Sequence, residues 1–425
     1  MKKFFVCCLS LIIALSFFIM PQNTFAQSSF TPVVADVEEY LDEFLDYFKD
    51  RTSFSQAEKD AAQWIAQEFE SFGLETKVQH FELEFNAKKV TSQNVIGKLD
   101  FGKPKQVIIC VNYDNVYGSA DIEGVGAEGA YSSGASVAVL LSLAKQFALQ
   151  KAQDEINLDY NIIFLALGAE EVGLYGSSYY VKHMLPKEIS NTLLAVNLDH
   201  IGGGDYLYLY CDELSTIHEK FIKQIADNNG LNLRLPPANK KTMSALSPLI
   251  PYWHYGLNSA NVRFIAAGIN SANFFSGNWH TNNKIGMVES EKNPPIIYTK
   301  DDNRKTLKSL YGDSFIQKTN ATADIIYYTL INADFVKTME QSAINRPNYS
   351  WLVNESLVTY IKLGLIIIMV TIVILLIRNL SNRYPVPVVT IKPTPPPTVF
   401  GEEYDNKSDS QQDNNQPPQN PFEGY

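Results

Sequence analysis

The stretch GAEEVGLYGS, residues 168–177, decides how the fold is read. An apolar run, YNIIFLAL at residues 160–167, leads directly into it and reads as a buried strand. A helix-like pattern through Ser178, Tyr179, Val181 and Met184 follows. Glu170 and Glu171 therefore stand where a strand ends, and open α/β sheets place their ligands at such ends. Surface pairs of glutamates are usually solvated charges; the apolar strand leading into this pair sets it apart. A second carboxylate, Asp199, ends another apolar strand, LLAVNLDHIGGG. Two acids at the ends of neighbouring strands suit a hard or borderline metal ion.

Outward from this stretch, helical and extended patterns alternate. Residues 37–49 and 55–72 read as amphipathic helices, and 134–149 as a strongly apolar one. Residues 76–85, 94–98, 106–112, 192–200, 206–211 and 261–267 read as strands, 215–229 as a helix, and 314–331 as the final helix. Several strands are apolar throughout, which argues for a mixed, mainly parallel sheet covered by helices on both faces, a three-layer α/β/α domain. Residues 282–302, with Pro294 and Pro295, read as a long irregular loop, the kind that is often functional. The chain shows no internal repeat.

The ends carry targeting signals. Lys2 and Lys3, the apolar run of residues 4–20 and Thr24-Phe25-Ala26 have the form of a secretory signal peptide, residues 1–26. Residues 357–377 are almost continuously apolar, with Lys362 as their one charge, a length that suits a transmembrane helix. Arg378 and Arg383 follow, so the positive-inside rule places the C-terminus in the cytoplasm. The organisation expected is an ectodomain over 27–335, a juxtamembrane linker over 336–356, the membrane helix, and a cytoplasmic tail over 378–425. The tail is rich in Pro, Asn and Gln and lacks the apolar residues to fold. The net charge of −11 argues against a nucleic-acid surface. After the leader only Cys110 and Cys211 remain, enough for one disulfide or two buried thiols but not for a disulfide framework.

GAEEVGLYGS and NLDHIG resemble the two central motifs of the co-catalytic zinc aminopeptidases. That family includes bacterial leucyl-type aminopeptidases and aminopeptidase Y, with glutaminyl cyclases and the non-catalytic, membrane-anchored nicastrin as relatives. The resemblance runs from AEKDAAQWIAQEFESFGL through SQNVIGKL, VIICVNYDNV and GAYSSGASVAVLLSLAKQF to the final helix, covering most of residues 27–330. It implies a zinc-exopeptidase-like fold, two zinc ions clamping a water and the substrate carbonyl, and a glutamate taking the proton of that water. On this chain it implies Glu170 as the base, Glu171 as a ligand of one metal and Asp199 as a ligand of the other.

The other positions depart from the family. Its ligand histidine in His-Tyr-Asp-Ser is here Asn112, while Asp114, which in the family supports that histidine, is kept. Its bridging aspartate falls on Ser132, in Gly129-Ala130-Tyr131-Ser132-Ser133-Gly134. Its last ligand falls either on His280, in Trp279-His280-Thr281, or on Tyr298, in Tyr298-Thr299-Lys300-Asp301-Asp302-Asn303. Neither an amide nor a hydroxyl supplies the charge that holds two dications together, so the resemblance allows one zinc or none rather than two. His200, next to Asp199 on a strand, is expected to point to the opposite face and pack.

Three functional readings follow. The first is a membrane-anchored extracellular domain that binds a peptide or partner protein without hydrolysing it. The second is an active metallo-aminopeptidase using one zinc held by Glu171, His280 and Asp199 or another nearby acid. The third is an assembly subunit whose TPPPT-containing tail docks aromatic grooves as a polyproline II segment.

Overall fold

A computed structural model describes residues 32–115, 128–211, 216–236, 259–279, 288–344 and 355–383. Residues 1–26, expected above to be a leader, His280 and the residues beyond 383 lie outside the described residues. The chain divides into two units, Met1–Leu365 and Ile366–Tyr425.

The first unit opens with helices α1 (Val37–Tyr47) and α2 (Gln56–Ser71). The Ser55 side chain caps α2 by accepting the Glu58 N–H. Strands β1 (Glu75–Phe85) and β2 (Lys88–Leu99) form a hairpin whose two turn residues, Asn86 and Ala87, both have positive φ (49° and 58°). Two-residue hairpin turns of the primed kind ask for that geometry because it follows the strand twist. Strand β3 (Gln106–Asn112) precedes a five-residue π-helical turn, Ala130–Gly134, and helix α3 (Ala135–Ala152). Then come β4 (Asn161–Leu167), α4 (Tyr175–Lys182), α5 (Pro186–Asn191), β5 (Thr192–Leu198), β6 (Tyr206–Cys211) and α6 (Thr216–Asn228). Helix α7 (Asn261–Ala266), β7 (Ser271–Gly277), α8 (Arg304–Tyr311), α9 (Ser314–Leu330) and α10 (Phe335–Ile344) complete the described domain.

The strands form one seven-stranded sheet, ordered β1-β2-β4-β3-β5-β7-β6. The four central strands, β4, β3, β5 and β7, run parallel, and β1, β2 and β6 are added antiparallel at the margins. Strand alternation distributes the two faces. Val107, Ile109 and Val111 of β3 join a core with α1, α2, α3 and α9, while Ile108 and Cys110 join a second core with α4 and α7. Sandwiched between helices on both faces, the central strands have no polar side, which is why they read as unbroken apolar runs. Helix α3 is as apolar as a membrane span, yet it is buried in the core. Cys110 and Cys211 are buried free thiols.

The structure corrects three expectations. Within residues 261–267 the chain forms helix α7 rather than a strand, and the strand at this point in the order is Ser271–Gly277. The β-branched Val262 and Ile265 invite the strand reading, whereas β7 reads SANFFSG and hides its polar residues in pairs such as Asn273 with Asn197. The chain past residue 335 is not all linker: α10 buries Phe335 and Met339 in the main core. The Ser342 hydroxyl also meets His218 Nδ1 at 2.7 Å. Helix α9 is therefore not the last of the domain.

A further helix, α11 (Glu355–Arg383), carries the apolar run. Its large side chains from Leu363 to Ile377 are between 47% and 64% exposed. An apolar surface of that length on a water-soluble domain is unusual.

Candidate functional site

The parallel strands end on one side of the sheet, and the cavity lies there. Asn112 follows from β3, Glu170 and Glu171 from β4, and Asp199 and His200 from β5. The cavity has a volume of about 410 Å³ and is lined by all five, with Tyr298 closing one side.

Glu170 and Glu171 sit on a tight turn. At Gly168 an added Cβ would lie 2.5 Å from the Gln93 carbonyl oxygen and 2.6 Å from the Tyr113 hydroxyl, so only glycine fits. Ala169 then takes φ +50°, and its N–H donates to Glu58 Oε1 at 2.9 Å. Glu58 also accepts from Ser92 Oγ at 2.7 Å and from the Phe54 N–H at 2.7 Å. This buried carboxylate therefore fixes the turn from below. Ser55-x-x-Glu58 has the sequence form of an ordinary helix cap, which is why its wider role escapes a sequence reading. Burial and the neighbouring Asp114 charge push the Glu58 carboxyl up to about 7.

Glu170 is buried, and both its oxygens are held by one residue: Ser177 N–H donates at 2.5 Å and Ser177 Oγ at 3.0 Å. Burial raises its carboxyl to about 8. Glu171 accepts from Asn112 Nδ2 at 2.9 Å and from the Tyr298 hydroxyl. Burial and Asp114 lift it to about 8 as well. Asp114 accepts from Ser53 Oγ at 2.6 Å and the Glu171 N–H at 3.1 Å, both on Oδ2. Its Oδ1 is buried with no hydrogen-bond partner among the described residues. Burial raises Asp114 to about 6.

His200 departs from the expectation that it faces away. Strand β5 stops at Leu198, and His200 adopts φ +53°, so strand alternation no longer governs it. Its Nδ1 lies 2.5 Å from Asp199 Oδ1 and its Nε2 3.2 Å from the Tyr298 hydroxyl. Burial opposes its charge, but Asp199, Glu171 and Asp302 outweigh that and lift the imidazole to about 9.

Ser132 stands in the π-helical turn, with its N–H bonded to Asp302 Oδ2 at 3.1 Å and the Tyr131 N–H to Oδ1 at 2.6 Å. Asp302 thus holds the start of α3, the anion-seeking end of a helix. Arg51, which no motif flags, is fully buried behind the site. It donates to the carbonyls of Tyr113 (2.7 Å) and Glu128 (3.0 Å), to Ser133 Oγ (2.8 Å), and to the Phe48 carbonyl.

Of the residues singled out in the sequence, the structure brings Asn112, Glu170, Glu171, Asp199 and Tyr298 to one cavity, with Asp114 bonded beneath Glu171. Ser132 is buried and held by Asp302. His280 lies outside the described residues.

The described residues do not fit a zinc pair. Such a pair needs a bridging carboxylate and imidazole ligands at about 2.0–2.2 Å. Residue 132 offers a hydroxyl and residue 112 an amide whose hydrogens point at Glu171. Asp199 is engaged by His200, and Glu171 by Asn112 and Tyr298. Among the described residues no group of three His, Cys, Asp or Glu side chains is arranged to hold a metal. The orphaned Asp114 Oδ1 is what the loss of a ring N–H at position 112 would leave behind.

These carboxyls set a pH dependence. Unfolded, they ionise near pH 4 to 5; folded, Asp114, Glu58, Glu170 and Glu171 ionise near 6, 7, 8 and 8. With folded values above unfolded ones, their contribution is complete below about pH 4 and is lost as pH rises through 6 to 8. His200, raised to about 9, acts in the same direction. The melting temperature is expected to fall from pH 5 to pH 9, less steeply in Glu170→Gln. A melting temperature that rises over this range would contradict the burial assigned to these groups.

Comparison with known proteins agrees with the fold. The profile described as Peptidase family M28 matches residues 94–302. The chain is 27% identical over 268 residues to the alkaline phosphatase isozyme conversion protein of Escherichia coli, covering 58% of this chain and 74% of that one. It is 31% identical over 213 residues to aminopeptidase YwaD of Bacillus subtilis, covering 50% of this chain and 40% of that one. Among solved structures, a zinc aminopeptidase from Bacillus subtilis superposes with a TM-score of 0.52 at 19% identity, covering 68% and 94% of the two chains. A glutaminyl cyclase of Bacteroides thetaiotaomicron gives 0.51 at 15% identity, covering 70% and 97%.

Proposed function

We propose, from the premise that this chain belongs to peptidase family M28, that it is a membrane-anchored extracellular domain that holds the amino-terminal end of a peptide or partner protein without hydrolysing it. The observation that carries this reading is at Glu171. Its carboxylate is engaged by Asn112 Nδ2 and the Tyr298 hydroxyl, both internal donors, at the position where the family places a metal ligand. The cavity gathers Glu170, Glu171 and Asp199, and an ammonium placed among them would favour the ionised form of the two glutamates that burial otherwise keeps protonated. Metal analysis of the purified full chain tests the reading. Zinc well below one ion per chain is expected; two tightly held ions would refute it. The competing reading, an active aminopeptidase with one zinc, is favoured by the same gathering of acids. It requires turnover of aminoacyl reporters that Glu170→Gln abolishes.

The anchor rests on α11, whose apolar side chains from Leu363 to Ile377 are exposed, followed by Arg378 and Arg383. The cleaved leader would put the domain outside and leave the tail inside, where it is free to dock partners. The full chain is expected to stay with membranes after an alkaline wash, and a chain ending at residue 344 to be released. Release of both would remove the anchor.

A further inference from the structure

The cavity lining carries groups of both signs. Glu171, Asp199, His200 and Tyr298 are joined by the hydrogen bonds already described, and α7 and the residues before it contribute Ser259, Ala260 and Arg263. Arg263 has no role in the network described above. Its Nε is buried without a hydrogen-bond partner among the described residues. Glu170, the nearby acid that feels its charge, gives both oxygens to Ser177 and so does not hold the guanidinium. Ser259 Oγ accepts from Asn197 Nδ2 at 2.8 Å, which leaves its own proton to donate elsewhere.

A buried guanidinium N–H without an acceptor is costly, and it is normally found with an anion. The planar fork of arginine suits a carboxylate. Phosphate or a larger polyanion would add negative charge beside Asp199 and raise further the cost of ionising Glu170 and Glu171. A single carboxylate on a molecule that also carries an ammonium can pair with Arg263 while its ammonium favours the ionised form of those acids. A volume of about 410 Å³ lies at the small end of ligand cavities and suits one or two residues rather than a long segment. Val172, Leu174 and Ala260 add apolar lining for a side chain.

We infer that the cavity takes a free, dipeptide-sized zwitterion, with its ammonium toward Glu171 and Asp199 and its terminal carboxylate on Arg263 and Ser259. The inference deepens the proposed function and rests on it: it narrows the ligand from any peptide amino-terminus to a short peptide with a free carboxylate.

The test is calorimetric titration of the full chain in detergent with leucylglycine and with leucylglycinamide, which lacks the terminal charge. Leucylglycine is expected to bind about tenfold more tightly or better, the scale of a lost charge-assisted hydrogen bond. Arg263→Gln should abolish that preference, bringing the two affinities within about twofold of each other. Arg263→Lys, which keeps the charge, should retain part of it, and provides a second reading should the glutamine variant fail to fold. Equal binding of the two ligands to the native chain overturns the carboxylate anchor and leaves the proposed function standing. A preference that survives in Arg263→Gln does the same. Binding of neither ligand overturns both.

Discussion

The triple variant Asn112→His, Ser132→Asp, Tyr298→His is expected to purify with roughly two zinc ions per chain, where the proposed function expects few or none of the native chain. Each change undoes one internal substitution. A histidine at 112 replaces the amide that donates to Glu171 at 2.9 Å and returns a ring N–H to Asp114 Oδ1, the buried acceptor now without a partner. Such a carboxylate behind a ligand histidine fixes its tautomer and orientation. An aspartate at 132 supplies the bridging charge, in a turn whose backbone Asp302 already holds through the Tyr131 and Ser132 N–H groups. Histidine at 298 removes the hydroxyl that contacts Glu171 and His200, and frees Glu171 to face a cation beside Asp199. Without zinc the variant gathers one more acid beside Glu171, Asp199 and Asp114 and should melt below the native chain. With zinc at a thousandfold excess over its dissociation constant it should gain about 4 kcal/mol. Elemental analysis and melting curves with and without zinc are the measurements. A folded variant with no more zinc than the native chain would show that more than these three positions separate this cavity from a metal centre.

Most of the central sheet is legible in the sequence because its strands are buried on both faces and their apolar runs stop at the glycines and acids of the site. Tyr160–Leu167 and the residues up to Asp199 announce themselves in this way. Strand β7 does not, since its polar residues are satisfied by partners distant in sequence: Asn273 meets Asn197, 76 residues away. Helix α7 fails for the converse reason, a short segment whose Val262 and Ile265 favour a strand locally while tertiary packing of Phe264 decides for a helix. The same division holds in the cavity. Motif residues Asn112, Glu170, Glu171 and Asp199 are read directly. His200 escapes the alternation rule because it stands two residues beyond the end of the strand, in a left-handed conformation. Glu58, Arg263 and Arg51 stay hidden, because a lone charge on an amphipathic segment looks solvated until the fold shows what covers it.

Arg51 is the largest of these concealed contributions. Arg51→Met is expected to cost about 4 kcal/mol or more, enough to lower the melting temperature by roughly 10 °C. The guanidinium is fully buried, and burial pulls its pKa down to about 10 against the pull of Asp302 and Asp114. It lies 4.6 Å from the Phe44 ring centroid, so methionine would keep some of the packing. What methionine cannot keep are the hydrogen bonds to the carbonyls of Phe48, Tyr113 and Glu128 and to Ser133 Oγ. Each acceptor left buried and unpaired costs on the order of 1–3 kcal/mol, less whatever water can enter to repair. The loss would not be confined to stability. Tyr113 directly follows Asn112, and Ser133 directly follows Ser132, so one side chain ties together the two strand-end loops that depart from the family pattern. A variant that still folds should therefore bind leucylglycine more weakly although Arg51 does not line the cavity. Lysine should rescue little, since one ammonium cannot span four acceptors that the planar fork reaches at once. A melting temperature within 2 °C of the native value in Arg51→Met, roughly the effect of 1 kcal/mol or less, would mean that water or backbone movement satisfies those carbonyls and that the loops are held by other contacts.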